Sequence, residues 1–367
     1  MRNKRITIFI ILFLFGASMA FLAGSWFNDS DNVGLNIDKD NLIKEADEVM
    51  RGETVNEKTE EKIAKLMFFG DFMLDRSNRT LIAKRGNDWM TEKIGELFLN
   101  QDLNILNLEG TITEKNSVSV GTKETEKGHF IFTFNPKETE NFLIENKIKM
   151  VSLGNNHITN FGSEGVLETR KNLQDFEVKY FGDPQDKDNF LVQEINGIKI
   201  SFVNFNAFSK INSDITIENI QKAQEQSEFV VVYTHWGAEY ALMENENQKK
   251  LAHSFIDNGA DLIIGTHPHV VQPVEIYKNK AIFYSLGNFI FDQYFSEDVK
   301  ERLAVGVTIS ENKTEFFLEP LYLEKNGQLV LADEVKKKNI LSRVFQNFST
   351  EILTKNSLKE GKLSLEN

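Results

Sequence analysis

The stretch "DLIIGTHPHVVQPVE", residues 261–275, decides how this chain is read. An apolar run, residues 262–264, stops at Gly265, and His267 and His269 follow with Pro268 between them. A short apolar run bounded by glycine reads as a strand buried on both faces. The chain spends only six histidines over 367 residues, so a pair at one strand end points to chemistry. Residues two apart in an extended segment face the same way. Pro268 biases His267 towards extended geometry, so the two imidazoles are expected to converge.

Similar runs lie on either side: "KLMFFGD" (65–71), "LNILNLEG" (103–110), "IKMVSLGNNH" (148–157), "IKISFVNFN" (198–206), "EFVVVYTHWG" (228–237) and "KAIFYSLGNF" (280–289). Helix-like segments fall between them at 90–101, 137–147, 163–175, 217–226 and 246–258. Strand–helix alternation implies an α/β layered domain. Residues 111–135 read as a polar loop closing on an edge strand, "HFIFTFNP", and residues 302–323 as an antiparallel pair. "NILSRVFQNFSTEIL" in the tail reads as an amphipathic helix packing on the domain.

The polar residues gather at the strand ends: Gly70-Asp71, Asn107-Leu108-Glu109-Gly110, Asn155-Asn156-His157, His235-Trp236-Gly237 and His267-Pro268-His269. In α/β sheets ligands bind beyond the carboxyl ends of the strands. Taken singly, Gly-Asp is a common turn or cap, and Asn-Asn-His a common turn. Their joint occurrence at successive strand ends is what points to a site. Imidazole with carboxylate and amide oxygen, and no cysteine, suits divalent metals of a hydrolytic centre rather than structural zinc. Two ions sharing a carboxylate would clamp a phosphoryl group and acidify a water. His253, in mid-helix, reads as a core histidine, and His129 carries no assignment.

The bulk composition narrows the partners. A net charge of −13 argues against nucleic acid. The absence of cysteine excludes disulfides, thiolate metal sites and cysteine nucleophiles. Arg2, Lys4 and Arg5 precede an uncharged run from Ile6 to Phe27 that would span ~33 Å as a helix. Its basic flank places the rest of the chain outside the cell. Ser18-Met19-Ala20 offers a signal-peptidase site, while the length of the run and Phe21-Leu22 after that site favour an uncleaved anchor. The expected organisation is an anchor or signal peptide at 1–27, a polar spacer at 28–62, one domain at 63–333 and a helical tail at 334–367.

In order, "GD", "NLE", "NNH", "HWGAE", "GTHPH" and "YSLGNF" resemble the CapA family of bacterial capsule (poly-γ-glutamate) synthesis proteins over roughly residues 65–292. The resemblance implies a four-layer α/β/β/α metallophosphoesterase-like sandwich preceded by an N-terminal transmembrane helix. It implies two divalent ions (Mn, Fe or Zn): Asp71, Glu109 and His269 on one, and Glu109, Asn156, His235 and His267 on the other. His157 would be the general acid, and Asn155 is the alternative to Asn156 as ligand. Glu239, Glu275, Ser285 and Asn288 match family positions, as substrate contacts or as support behind the ligands. Where many metallophosphoesterases have Asp-x-His, this chain has Met73, and Asn160 replaces a frequent aspartate. The implied function is an anchored extracytoplasmic hydrolase acting on an envelope polymer or phosphoester, with capsule synthase subunits as partners. A second reading is a non-catalytic subunit that binds and helps export the polymer.

Overall fold

A computed structural model describes residues 62–348 and 360–366. The anchor and most of the spacer lie outside the described residues. Among the described residues no helix is long and apolar enough to cross a membrane.

The chain first lays down β1 (Ala64–Phe72), β2 (Leu103–Leu108), the short pair β3 (Thr111–Ile112) and β4 (Thr133–Phe134), then β5 (Ile148–Ser152) and β6 (Lys179–Phe181). It then builds a separate sheet from β7 (Phe190–Ile195), β8 (Ile198–Asn206), β9 (Phe229–His235), β10 (Leu262–Thr266), β11 (Val274–Tyr277) and β12 (Lys280–Phe283). Finally β13 (Asn288–Ile290), β14 (Glu301–Ile309), β15 (Lys313–Leu323), β16 (Leu329–Leu331) and β17 (Lys362–Glu366) return to the first sheet. That sheet runs β16-β15-β14-β1-β2-β5-β6, with β13 on β1 and β17 on β15; the other runs β11-β12-β10-β9-β8-β7. β1, β2 and β5 are mutually parallel, and so are β8, β9 and β10. The fold is mixed α/β.

Alternation along the strands explains why they read as unbroken apolar runs. Leu66 and Phe68 of β1 share one core with Ile200 and Phe202 of β8, Val231 of β9 and Ile264 of β10, so the two sheets face each other. Met67 and Phe69 point the other way and pack with Phe142, Leu143 and Val166. These come from α2 (Pro136–Glu145) and α3 (Gly162–Asp175), which follow α1 (Arg76–Arg85). Val203 and Val230 likewise turn outward onto α4 (Ser213–Gln224) and α5 (Glu246–Asp257) through Ile220, Ala252 and Phe255. Asparagines start three of these helices: Asn135, Asn212 and Asn245 each accept a first-turn backbone N–H.

Several expectations change. Segment 90–101 forms 3-10 turns, Asp88–Met90 and Glu92–Phe98, instead of an α-helix; Gly95 inside it disfavours the longer element. The run 280–289 is two strands in different sheets, because Gly287, at φ +68, turns the chain across. In "HFIFTFNP" only Thr133 and Phe134 pair, and they do so in parallel with β3. The tail has α6 (Glu334–Val344), but its described end is a strand, β17, antiparallel to β15.

Candidate metal centre

Both sets of parallel strands end at the same place. Asp71 is the second-to-last residue of β1 and Glu109 lies just past β2, while Asn156 and His157 follow β5. His235 closes β9, and His267 and His269 follow β10. Two glycines allow the close approach. A Cβ on Gly70 would lie 1.8 Å from the Gly287 carbonyl oxygen, and one on Gly265 would lie 2.0 Å from that of Tyr284. Those contacts place Asp71 against Asn288, its register partner on β13.

The histidine pair converges, but not by the expected route. His267 has φ +94 and His269 φ +57, both left-handed and neither glycine, so the segment is not extended. Surrounding bonds hold it there. The His267 N–H donates to Asp71 Oδ2 at 3.0 Å, and the Tyr240 N–H donates to Pro268 O at 2.8 Å. Such strain persists where neighbours over-determine it, which is common at functional sites.

Hydrogen bonds assign the imidazole tautomers. The Thr266 hydroxyl donates to Thr234 O at 2.8 Å, so its oxygen is free to accept from His235 Nδ1 at 3.1 Å. Asn107 Nδ2 is 3.2 Å from the same nitrogen but makes its shorter bond, 2.7 Å, to Asp71 Oδ1. His269 Nδ1 lies 2.9 Å from Asn288 Oδ1 and 3.2 Å from Asp71 Oδ2. His157 Nδ1 lies 3.1 Å from Phe130 O and 3.3 Å from Asn160 Oδ1. His269 and His157 therefore carry the proton on Nδ1 and turn a bare Nε2 inward, whereas His235 Nε2 also faces an acceptor, Asn156 Oδ1, at 3.0 Å. His267 presents Nδ1 instead, 3.1 Å from His235 Nε2.

Glu109 is at the centre. It is fully buried, and no protein donor reaches either of its carboxylate oxygens. Three imidazole nitrogens face Oε1: His157 Nε2 at 3.7 Å, and His235 Nε2 and His269 Nε2 at 4.0 Å, all beyond hydrogen-bond reach. Burial, and then the Asp71 carboxyl beside it, push the Glu109 pKa well above the ordinary range. Burial would raise Asp71 too, but His269, His235 and Asn107 hold it below its usual value. Burial lowers all three of His235, His157 and His267, the last two to about 4, which keeps the rings neutral. Neutral imidazoles and an unpaired buried carboxylate are costly by themselves and suited to a cation. Donor atoms gather into two triads that share Glu109: Glu109–His267–His269 and Asp71–Glu109–His235. Either triad could hold a metal ion. This grouping shares Glu109 as expected but allots the histidines differently.

The choice between the paired asparagines follows from their bonds. Asn155 is spent on the turn: its Nδ2 donates to Asn107 Oδ1 and Leu108 O, and its Oδ1 accepts from the His157 and Ile158 N–H groups. Asn156 instead aims Oδ1 at His235 Nε2, 3.0 Å away. Asn288 fixes His269. Ser285 accepts the Gly287 N–H and supports the turn. Glu239 is exposed, and its charge reaches Glu109. Glu275 is away from the cluster and bonds His253 Nε2 at 2.9 Å and the Tyr284 hydroxyl at 2.6 Å. Met73 is buried, with its sulfur accepting the Asp75 N–H, so it does not replace the missing histidine. Asn160 sits behind His157 and also accepts the Phe132 N–H.

Two residues at the site carry no role in the sequence reading, although Asn107 is named there at its strand end. Asn107 bridges Asp71, His235 and Asn155; its signal is a polar residue inside an apolar strand, two before Glu109. Arg76 lies between the Phe132 and Phe291 rings, 5.1 and 5.4 Å from their centroids, and pairs with Asp292.

The sequence profile described as "Bacterial capsule synthesis protein PGA_cap" matches residues 65–293, more than half of the chain. The chain belongs to this family. The PGA_cap match begins with β1 and ends just after β13, so it contains every candidate ligand. The chain is 28% identical over 333 residues to the capsule biosynthesis protein CapA of Bacillus anthracis, covering 85% of this chain and 79% of that one. It is 28% identical over 341 residues to the PGA biosynthesis protein CapA of Bacillus subtilis, covering 86% of each. A probable polyglutamine synthesis accessory protein of Mycobacterium tuberculosis is 23% identical over 220 residues, covering 50% of this chain and 57% of its own.

Proposed function

We propose that this capsule-synthesis family member is a metal-dependent hydrolase of the metallophosphoesterase type, acting on a phosphoester in capsule polymer production. The buried Glu109 carboxylate, with no protein donor and bare imidazole nitrogens turned towards it, carries the reading. Asp71, Glu109, Asn156, His235, His267 and His269 would hold two divalent ions of the Mn, Fe or Zn kind. Bound there, the ions supply Lewis-acid polarisation of the phosphoryl group and an acidified water.

The chain's own residues do the rest. Asn107, Asn288 and Thr266 fix the orientation of Asp71, His269 and His235. His157 keeps Nε2 towards the cluster while the Phe130 carbonyl and Asn160 hold Nδ1. Because burial keeps this ring neutral, His157 would first take a proton at Nε2 from solvent water and then give it to the leaving oxygen as the ester bond breaks. The role expected of it, general acid, thus becomes the second half of a relay.

We place the domain outside the cell on an anchor formed by residues 6–27, with synthase subunits at the membrane as partners; basic residues before an uncharged run support this. The word "accessory" in the mycobacterial relative's name favours the second reading, a polymer-binding subunit without turnover. Elemental analysis and turnover of a chromogenic phosphodiester by wild type and Glu109→Gln separate the two. The hydrolase reading expects bound metal and turnover, both lost in the variant. Metal-free wild type, or equal turnover in the variant, contradicts it.

A further inference from the structure

A second concave site lies at the other end of the first sheet. β2 and β5 deliver Glu109, Asn156 and His157 beyond their carboxyl ends, whereas a cleft of about 530 Å³ opens where the chain enters these strands. One wall is the pair of 3-10 turns, Asp88–Met90 and Glu92–Phe98, that leads into β2. The other is the end of α2, which leads into β5. Asn104 of β2, itself buried, ties the walls together: its Nδ2 donates to Phe98 O and to Lys147 O, each at 3.2 Å.

The charge of this cleft is one-sided. Asp88, Glu92, Glu96 and Glu145 line it, against a single lysine, Lys93. α2 ends here with no basic residue in its last turn, so the negative end of the helix dipole adds to the carboxylates. The Glu145 and Asp88 carboxyls share a hydrogen bond, and partial burial, then Asp88, raise Glu145 to about 7. A proton sits where a cation would neutralise both groups.

One polar group is left waiting for a donor. Asn146, at the end of α2, is only 5% exposed and lines the cleft. Its Nδ2 is tied back to Phe142 O at 2.9 Å. Its Oδ1 is left for the cleft and accepts from no protein group among the described residues. Buried amide oxygens are seldom left without a partner.

The spacing of the acids decides between an ion and a longer cation. Among the described residues, only the metal centre brings three ligating side chains close enough to share one ion. The carboxylates of the cleft are spread over both walls, and Phe98 and the half-exposed Leu99 add apolar surface. A linear polyamine matches this pattern. Its ammonium groups are spaced along a methylene chain, donate to carboxylates and to an amide oxygen, and leave the methylenes to lie on Leu99.

We propose that this cleft is a polyamine-binding site, separate from the metal centre and independent of the hydrolase reading.

The test is calorimetric titration of the full chain, in phosphatidylcholine nanodiscs at low salt, with spermidine. One molecule should bind per chain. Glu145→Gln should weaken binding about fivefold. Gly95 lines the cleft, and a Cβ built there meets nothing within 4 Å, so Gly95→Leu can occupy the space and should abolish binding. Glu145 is exposed and Gly95 faces open space, so both variants should fold as the wild type does by circular dichroism. Binding should also survive Glu109→Gln, which empties the metal centre. No spermidine binding, binding that neither cleft substitution changes, or binding lost in Glu109→Gln overturns the proposal. So does calcium that binds more tightly than spermidine and responds to the same two substitutions, which would make the cleft an ion site. Tetralysine doing so would make it a peptide site and overturn the proposal equally.

Discussion

Nδ1 of His267 lies 3.1 Å from Nε2 of His235, within hydrogen-bond distance ring to ring. The other nitrogen of His235 is occupied by Thr266, and the His267 backbone is fixed by Asp71. Nitrogens held this close, beside a carboxylate without protein donors, suit the cations of the two triads, one nitrogen to each. The two histidines of the His-Pro-His segment therefore differ: His267 faces His235 through Nδ1, and His269 is braced by Asn288 and faces Glu109 through Nε2.

Removing a brace should weaken metal binding without removing a ligand. Asn288→Ala leaves His269 in place but deletes the acceptor at Nδ1. Metal affinity, measured by competition with a chromogenic chelator, should fall about 10- to 100-fold. An unchanged affinity would show that Asn288 does not orient the ring.

The paired asparagines should separate cleanly. Asn155→Ala removes four bonds, three of them buried, and should cost about 3 kcal/mol in denaturant unfolding of the metal-free protein. Asn156→Ala should leave that stability nearly unchanged and lower metal affinity. The reverse pattern would exchange their roles.

Acid should destabilise the metal-free protein over a defined window. His157 and His267 titrate near 6.5 when unfolded and at about 4 when folded. Between those values the unfolded chain binds more protons, so stability is full above about pH 6.5 and falls as pH drops towards 4. Each ring accounts for about 3 kcal/mol at the low end of that window. His235, also lowered, adds to the loss, whereas Glu109, raised, opposes it. Three imidazoles outweigh one carboxyl. A chemical-denaturation midpoint that stays flat or rises from pH 7 to 4 would contradict this balance.

Gly70→Ala tests the crossing of β1 and the 285–288 turn. The added methyl would overlap a backbone carbonyl, which cannot swing aside as a side chain can. A loss of roughly 3 kcal/mol or more is expected in thermal or denaturant unfolding. A loss below about 0.5 kcal/mol, the usual range for a neutral surface change, would mean that the two backbones are not in contact.

What the sequence made legible follows from how local each signal is. Strands buried on both faces are apolar throughout, and Asp71, Glu109, Asn156, His235 and His269 each interrupt such a run at its end, so the gathering of these side chains could be foreseen. The left-handed backbone at His267 and His269 could not, because Pro268 biases its neighbour locally while Asp71 and Tyr240 impose the opposite from far along the chain. Glu275 shows the limit of matching motifs: it follows the histidines closely in sequence, yet β11 turns it to His253. Arg76 was not readable, because only tertiary packing between Phe132 and Phe291 brings it to the site.

The central claim is that the unpaired Glu109 carboxylate is a metal bridge. Anomalous diffraction from crystals grown with manganese tests it most directly. Two peaks in contact with the Glu109 oxygens, each also touching histidine nitrogens of the cluster, are predicted. Manganese bound elsewhere, or no peak at Glu109 in crystals that contain the ion, would contradict it.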